Sequence, residues 1–314
     1  MAGLGHCRIG ALKKDEVAEA DRIVRVAFGT FLGMPNPAEF MGDRDFMTSR
    51  WRSKHVKVLA ARDGGRLIGS NVITRWGSFA FFGPLTVLPE YWNQGVAKRL
   101  MEATVKIFDD WGLRHSGLFT FANSAKHVGL YQKFGYWPRY LTAIMTYTPV
   151  AAGVPGVLLS TLDRRRREEA ITECSRLTAR IYRGLDLAAE IRALLGQGTG
   201  EVVMTYRRGR LDGFAVCMTG RGSEGGSKTC YIKFGAASGG AGADERFDGL
   251  LSACESFAAA RGTAIEAGVN LAREGAYGRM RDRGYRATTQ GVAMSRPNVD
   301  GFERPDCFVM NDGR

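Results

Sequence analysis

The chain has 314 residues, 45 % of them apolar, which is enough for two domains of ordinary size with real cores. Lysine and arginine outnumber aspartate and glutamate 44 to 32, and the net charge of +12 admits an anionic ligand, a nucleic acid or a membrane surface as partner. Six scattered cysteines (Cys7, Cys174, Cys217, Cys230, Cys254, Cys307) with no Cys-x-x-Cys pair, and four histidines (His6, His55, His115, His127) without metal spacing, argue against a disulfide or zinc framework. No apolar run approaches the ~18 residues of a membrane span. The first ten residues, MAGLGHCRIG, lack the apolar core of a signal peptide, so the expected address is the cytoplasm.

Residues 28–46, FGTFLGMPNPAEFMGDRDF, form an aromatic link rich in Gly and Pro after the first helical pattern. Glu39, Asp43 and Asp45 read there as caps or surface charges. Residues 56–74, VKVLAARDGGRLIGSNVIT, read as a strand, a Gly turn and a second strand. Phe79–Val87 is nearly all apolar and reads as a central strand. It runs into Pro89-Glu-Tyr-Trp-Asn-Gln-Gly95-Val96-Ala97 and then a helix with Val96, Leu100, Ala103, Ile107 and Trp111 on one stripe. At such a strand–helix corner the first backbone N–H groups are free, and the helix dipole adds positive charge. Gly95 and Ala97 leave that backbone approachable. The corner is therefore a candidate anion site built from backbone.

The helix stops at Gly112, a strand follows over Ser116–Phe121, and Ser124 is placed to N-cap a short helix. That helix carries Leu130 and Phe134 toward the core, Tyr131 one turn before its end, and Gly135 as its stop. A strand over Tyr140–Thr148 closes the half. Residues 148–157, TPVAAGVPGV, mark the boundary.

The second half repeats this order. Arg164–Arg167 is the densest basic run, followed by Glu168 and Glu169, and reads as a solvated helix face. Basic residues are not interleaved with aromatics, so nucleic acid is not the expected partner. Residues 201–219, EVVMTYRRGRLDGFAVCMT, match the first hairpin in shape, and Gly209-Arg-Leu-Asp-Gly213 echoes Gly65-Arg-Leu-Ile-Gly69. A helix ending at Gly262, a strand (Thr263–Val269), a helix, Gly284-Tyr285 and a last strand (Ala287–Ser295) complete the copy. Its corner, AASGGAGADERF over 236–247, differs: Asp244 and Glu245 would repel a phosphate. Met280 stands where the first half has Tyr131.

Two linked motifs in the first half resemble those of the GNAT N-acetyltransferase superfamily. One is Val87-Leu-Pro89 followed by Trp92-Asn93-Gln94-Gly95-Val96-Ala97. The other is Tyr131-Gln-Lys-Phe-Gly135-Tyr136. The resemblance covers about residues 7–150 and extends to 156–314 in element order. It implies an α+β chain of two tandem acetyltransferase-like domains, each a mixed, mostly antiparallel central sheet flanked by helices. Residues 1–150 would be the catalytic domain and 151–314 a degenerate one.

The resemblance also implies acetyl-coenzyme A, or another acyl-coenzyme A, as cofactor, and an amine of a small molecule or peptide as acceptor. Its pyrophosphate would sit on the N–H groups of Asn93–Ala97, with Trp92 standing where the family has Arg or Gln. Lys98 and Arg99 could then supply the missing charge. The pantetheine arm would lie along Leu85, Thr86 and Val87 in a V-shaped opening between that strand and the one ending at Phe121, with Asn123 near it. Tyr131 would be the general acid for the leaving thiolate. No metal is expected. The general base stays unassigned. Phe28, Phe31, Phe40 and Phe46 either line an acceptor pocket or pack. The rival reading is an acyl-coenzyme A sensor that does no chemistry.

Overall fold

The structure is a computed structural model that describes residues 7–150 and 153–314; His6 and, within the boundary segment, Ala151 and Ala152 lie outside the described residues. The first half runs β1 (Arg8–Ala11), α1 (Val17–Phe31), α2 (Thr48–Trp51), β2 (Val56–Asp63), β3 (Arg66–Trp76), β4 (Phe79–Val87), α3 (Val96–Asp110), β5 (His115–Thr120), α4 (Ala125–Gln132) and β6 (Trp137–Tyr147). The second runs β7 (Val157–Leu158), α5 (Arg164–Ile181), α6 (Ala188–Gln197), β8 (Gly200–Arg207), β9 (Arg210–Gly220), β10 (Gly226–Ala237), α7 (Ala243–Ala259), β11 (Ala264–Asn270), α8 (Glu274–Asp282), β12 (Arg286–Arg296) and β13 (Val309–Met310). The α+β character and the repeated element order are those read from the sequence.

All these strands join one mixed sheet in the order β1-β2-β3-β4-β5-β12-β6-β11-β10-β9-β8-β7, with β13 added to β10. Pairing is antiparallel except for β4 with β5 and β10 with β11. The closing strands are exchanged. β12 of the second half pairs β5 of the first (Val292 opposite Thr120), and β6 of the first pairs β11 of the second (Tyr147 opposite Ile265). β6 and β12 pair each other at the centre, Thr142 opposite Gly291. Each half thus borrows its last strand's neighbour from the other, a choice that the internal repeat does not encode.

Apolar burial ties the halves further. Trp76, Phe79 and Phe81 of the first half share a core with Leu185, Phe234 and Phe302 of the second. Trp76 meets Phe234 edge-on at 5.6 Å. Its indole N–H donates to Glu190 at 2.9 Å, so this large side chain is buried without an orphaned donor.

α3 starts and stops where its glycines predict: Gly95 (φ 84°) is its N-cap and Gly112 (φ 58°) follows its end. Its buried stripe is Val96, Leu100, Met101, Thr104 and Phe108, turned slightly from the expected one. Ala103, Ile107 and Trp111 are partly buried at its margin. Thr104 is drawn inward because Asn71, buried on β3, donates to its hydroxyl at 2.8 Å. Arg164–Arg166 are exposed at the start of α5, as a solvated face requires, and Asp163 caps them by accepting from the Arg166 N–H at 2.9 Å. Arg167 departs from that expectation, half-buried and donating to the Ser160 and Leu162 carbonyls at 3.0 Å each. The six cysteines are buried free thiols.

Candidate active site

The parallel pairing of β4 and β5 is short. It covers Phe79–Phe81 against His115–Gly117 and then stops. β4 carries one extra residue against β3 near Gly83 and Pro84, the bulge that bends it away. From there Leu85, Thr86 and Val87 are paired to β3 at Asn71, Ser70 and Gly69. Their other edge opens onto a cavity of about 720 Å³ that they line together with Leu118–Phe121 of the β5 side. This is the opening that the resemblance implied.

The corner closes one end of that cavity. Asn93 and Gly95 both take left-handed backbone (φ 63° and 84°), which folds Trp92–Gly95 into a tight turn ahead of α3. Among the described residues, the amides of Asn93 through Lys98 find no acceptor in the protein. A side chain built on Gly95 would meet nothing within 4 Å. Trp92, Asn93, Gly95, Val96, Ala97 and Lys98 line the cavity. Free donors, a helix N-terminus, open space and a nearby ammonium together make an anion seat.

The polar side chains at the corner are used differently from what the sequence suggests. The Trp92 indole N–H donates to the Val87 carbonyl at 2.7 Å, so it braces the end of β4 and is not free for a phosphate. Its ring lies 5.6 Å from the Lys126 ammonium. The Gln94 amide donates to the Glu90 carbonyl at 2.7 Å and is outside the cavity wall. Arg99 donates to the Cys7 carbonyl, whereas Lys98, 3.7 Å from Glu102, and Lys126 line the cavity beside the seat. Asn123 is exposed and off the cavity wall. Ser124 occupies the N-cap position of α4, but its hydroxyl makes no capping bond.

Tyr131 is buried on α4 and lines the same cavity. Its ring stands edge-on to Phe82 of β4 at 5.6 Å. Burial pushes its hydroxyl well above the ordinary tyrosine value, so it stays protonated through neutral pH. His127, one turn earlier on the same helix face, also lines the cavity. It packs on Phe31 at 4.9 Å, and its Nδ1 has no protein partner. Burial, with help from Lys126, lowers its pKa and keeps it neutral. Nothing in the sequence pattern had singled out His127.

Beyond Tyr131 the wall is built from both halves. Phe28, Phe31, Phe40 and Phe46 all line the cavity, so the aromatic link does form a pocket. Its acidic residues do not. Asp45 accepts from the N–H groups of Met47, Thr48 and Ser49 and caps α2, whereas Asp43 holds the Ser227 N–H and Glu39 the Asn36 amide at the surface. The carboxylates in the wall come instead from the second half. Glu224 receives Arg50 on both oxygens at 2.9 and 2.7 Å and Lys233 at 2.6 Å. Glu266 receives Arg44 at 3.0 and 2.9 Å and Arg314 at 2.9 Å. Burial alone would raise these two carboxyls, but the adjoining cations override it and hold each at about 2. Both are therefore fixed anions and weak bases. Arg50 also donates to the Gly83 carbonyl at 2.6 Å, tying the ion pair to the bulge of β4.

The matching places in the second half are filled. Its corner presents carbonyls: Arg246 donates to those of Ser238, Gly239 and Ala241 at 2.9, 2.7 and 2.9 Å. Asp244 pairs with Arg279, which also takes Asp248 at 3.1 Å. Where β10 loses β11 after Ile232, β13 pairs it instead, Val309 opposite Ala236 and Met310 opposite Gly235. Arg273 locks this strand by donating to the carbonyls of Val309 and Asn311, each at 3.1 Å. Met280 is fully buried, with no polar atom to offer.

The exchanged sheet, the parting of β4 from β5 and the anion-receptive corner define a GNAT-type fold. Residues 26–136 match the model of the family described as Acetyltransferase (GNAT) family. A putative acetyltransferase from Pyrococcus horikoshii superposes with a TM-score of 0.70 at 14 % identity, over 100 % of this chain and 97 % of that one. A GNAT-family protein from Sphaerobacter thermophilus gives 0.61 at 13 % identity, over 94 % and 96 %. At such identities these show the shared fold over both halves. A mycothiol acetyltransferase from Pseudarthrobacter chlorophenolicus is 33 % identical over 113 residues, 34 % of each chain, so the match spans about a third of that curated relative. The family model thus covers residues 26–136, and the structural neighbours share the fold over both halves. Among the described residues no helix is long and apolar enough to cross a membrane, and no group of three or more His, Cys, Asp or Glu is placed to hold a metal ion.

Proposed function

We propose that the chain is an acyl-coenzyme A-dependent N-acetyltransferase with one active site, in residues 1–150, and that residues 151–314 form a degenerate copy without catalysis of its own. One observation carries the reading. Asn93, Gly95, Val96 and Ala97, whose amides have no acceptor among the described residues, line the same cavity as Tyr131 and the Leu85–Val87 strand. Acetyl-coenzyme A, when bound, supplies the thioester. The residues fit it: the amides and Lys98 suit a pyrophosphate, and the open edge at Leu85–Val87 suits an extended amide-bearing arm.

The protein's own groups then have simple tasks. A backbone N–H of the β4 edge near Val87 donates to the carbonyl oxygen as negative charge develops there. The acceptor must present a neutral amine, since an ammonium has no lone pair to form the new C–N bond. As the C–S bond breaks, Tyr131 gives its proton to the sulfur, and the proton lost by the amine restores the hydroxyl through solvent. Trp92, by bracing Val87, keeps the strand end and the seat in fixed relation. The filled corner and the β13 plug support the reading of the second half as non-catalytic.

Calorimetric titration with acetyl-coenzyme A, followed by thiol release with a panel of amines, tests this. One site per chain and amine-dependent thiol release are expected. Binding without turnover on any amine would favour the sensor reading, and absence of binding would end both.

A further inference from the structure

We infer that the acceptor is a monoamine carried on an apolar body, aromatic or aliphatic, and that polycationic amines are refused. This deepens the acyl-transfer reading and rests on it.

The acceptor end of the cavity has two linings. One is aromatic: Phe28 stacks on Phe40 at 5.4 Å and 10°, and Phe31 meets Phe121 at 4.8 Å. Phe31 is still 39 % exposed and Leu32 50 %, large apolar surface left open at the mouth of a cavity. A ring or alkyl chain entering there would cover it.

The other lining is charged but closed to a cation. Its carboxylates are Glu224 and Glu266, and both oxygens of each are held by a guanidinium, from Arg50 and Arg44 respectively. Lys233 and Arg314 add a further bond to each. Three guanidiniums thus line the cavity against two carboxylates, Arg314 also pairing with Asp312 at 2.9 Å, while Lys98 (3.7 Å from Glu102), Lys126 and Lys133 line its remainder. A substrate with several ammonium groups would bring each into this wall with no unpaired carboxylate side chain among the described lining residues to meet it. A single amine escapes the conflict. Low-polarity walls and an excess of positive charge lower its pKa and favour the neutral form, which is the nucleophile. The same surroundings that reject a polycation prepare a monoamine for attack, and no strong carboxylate base is required.

The test uses the full chain with acetyl-coenzyme A and three probes: 2-phenylethylamine, spermidine and kanamycin. Turnover is read as thiol release, and amine binding to the coenzyme A-loaded protein is read by calorimetry. kcat/KM for 2-phenylethylamine should exceed that for either polycation by at least about tenfold. Phe28→Ala should raise KM for 2-phenylethylamine roughly tenfold and leave the polycations unaffected. Arg44→Met, which frees one side of Glu266, should improve spermidine relative to 2-phenylethylamine. Preference for spermidine or kanamycin overturns the inference, as does failure of 2-phenylethylamine to bind the loaded protein. Loss of acetyl-coenzyme A binding itself would instead strike the acyl-transfer reading.

Discussion

Arg50 and Glu224 lie 174 residues apart in sequence and meet through two hydrogen bonds, Nε to Oε1 at 2.9 Å and Nη2 to Oε2 at 2.7 Å. Both side chains are 3 % exposed. The pair joins the two halves directly behind the bulge of β4, because Arg50 also donates to the Gly83 carbonyl. Removing Arg50 leaves the buried Glu224 with the Lys233 ammonium alone and the Gly83 carbonyl without its donor. Arg50→Met should therefore destabilise the chain by about 3–5 kcal/mol in urea unfolding. Glu224→Gln in the same background should cost less than it does alone. A fully stable Arg50→Met protein would contradict this account.

Acid should weaken the fold through the same groups. Glu224 and Glu266 sit at about 2 in the folded chain, against an ordinary 4.5. A depressed carboxyl pKa means that the unfolded chain binds the proton more readily. The stabilisation is thus complete above 4.5 and disappears as pH falls from 4.5 toward 2. Unfolding free energy should fall steeply over that window, and Glu266→Gln should flatten the slope. An identical slope in the variant would show that Glu266 is not responsible.

Tyr131→Phe keeps the ring against Phe82 and removes only the proton donor. kcat should fall by roughly 10²–10⁴ with the affinity for acetyl-coenzyme A unchanged. Because burial raises the Tyr131 pKa, the wild type should show no loss of rate from tyrosine ionisation below about pH 10. Full turnover by the Phe variant would remove Tyr131 from the chemistry.

Ala97 stands at the phosphate seat with almost no side chain. Ala97→Glu sets a carboxylate against the bound anion and should weaken acetyl-coenzyme A at least about tenfold. The residue is half-buried in the first turn of α3, so stability should change by no more than about 1 kcal/mol. Calorimetry and thermal unfolding of the same variant check the two halves of this statement.

The second half should bind no acyl-coenzyme A. Arg246→Ala frees the corner carbonyls of Ser238, Gly239 and Ala241, yet carbonyls do not attract phosphate. The variant should lose some stability while binding stays at one acetyl-coenzyme A per chain. A stoichiometry of two, in wild type or variant, would restore the second half as a site.

Much of the proposed site was legible because it is local. Gly95, Ala97 and the Val87-Leu-Pro89 approach occupy one stretch, and turn chemistry and helix periodicity act over a few residues. The resemblance singled out Tyr131 through its spacing to Gly135 on a single short helix. Side-chain partners were less legible. Trp92 and Gln94 look available in sequence, but neighbouring carbonyls take their N–H groups. Asn123 sits near the right position in the chain and faces outward. The aromatic residues of 28–46 announced a pocket or a core without deciding between them, since both use the same side chains.

By itself the sequence determined the α+β class, the repeated element order and the strand–helix corner ahead of α3. Each follows from spacing within one element or one turn. Only the tertiary structure decided that β6 and β12 change places, that β13 fills the second opening, and that Glu224 and Glu266 reach across to Arg50 and Arg44. Strand partners and buried ion pairs are chosen by the burial of the whole chain. Residues far apart in sequence meet there, and no local pattern records which of them will.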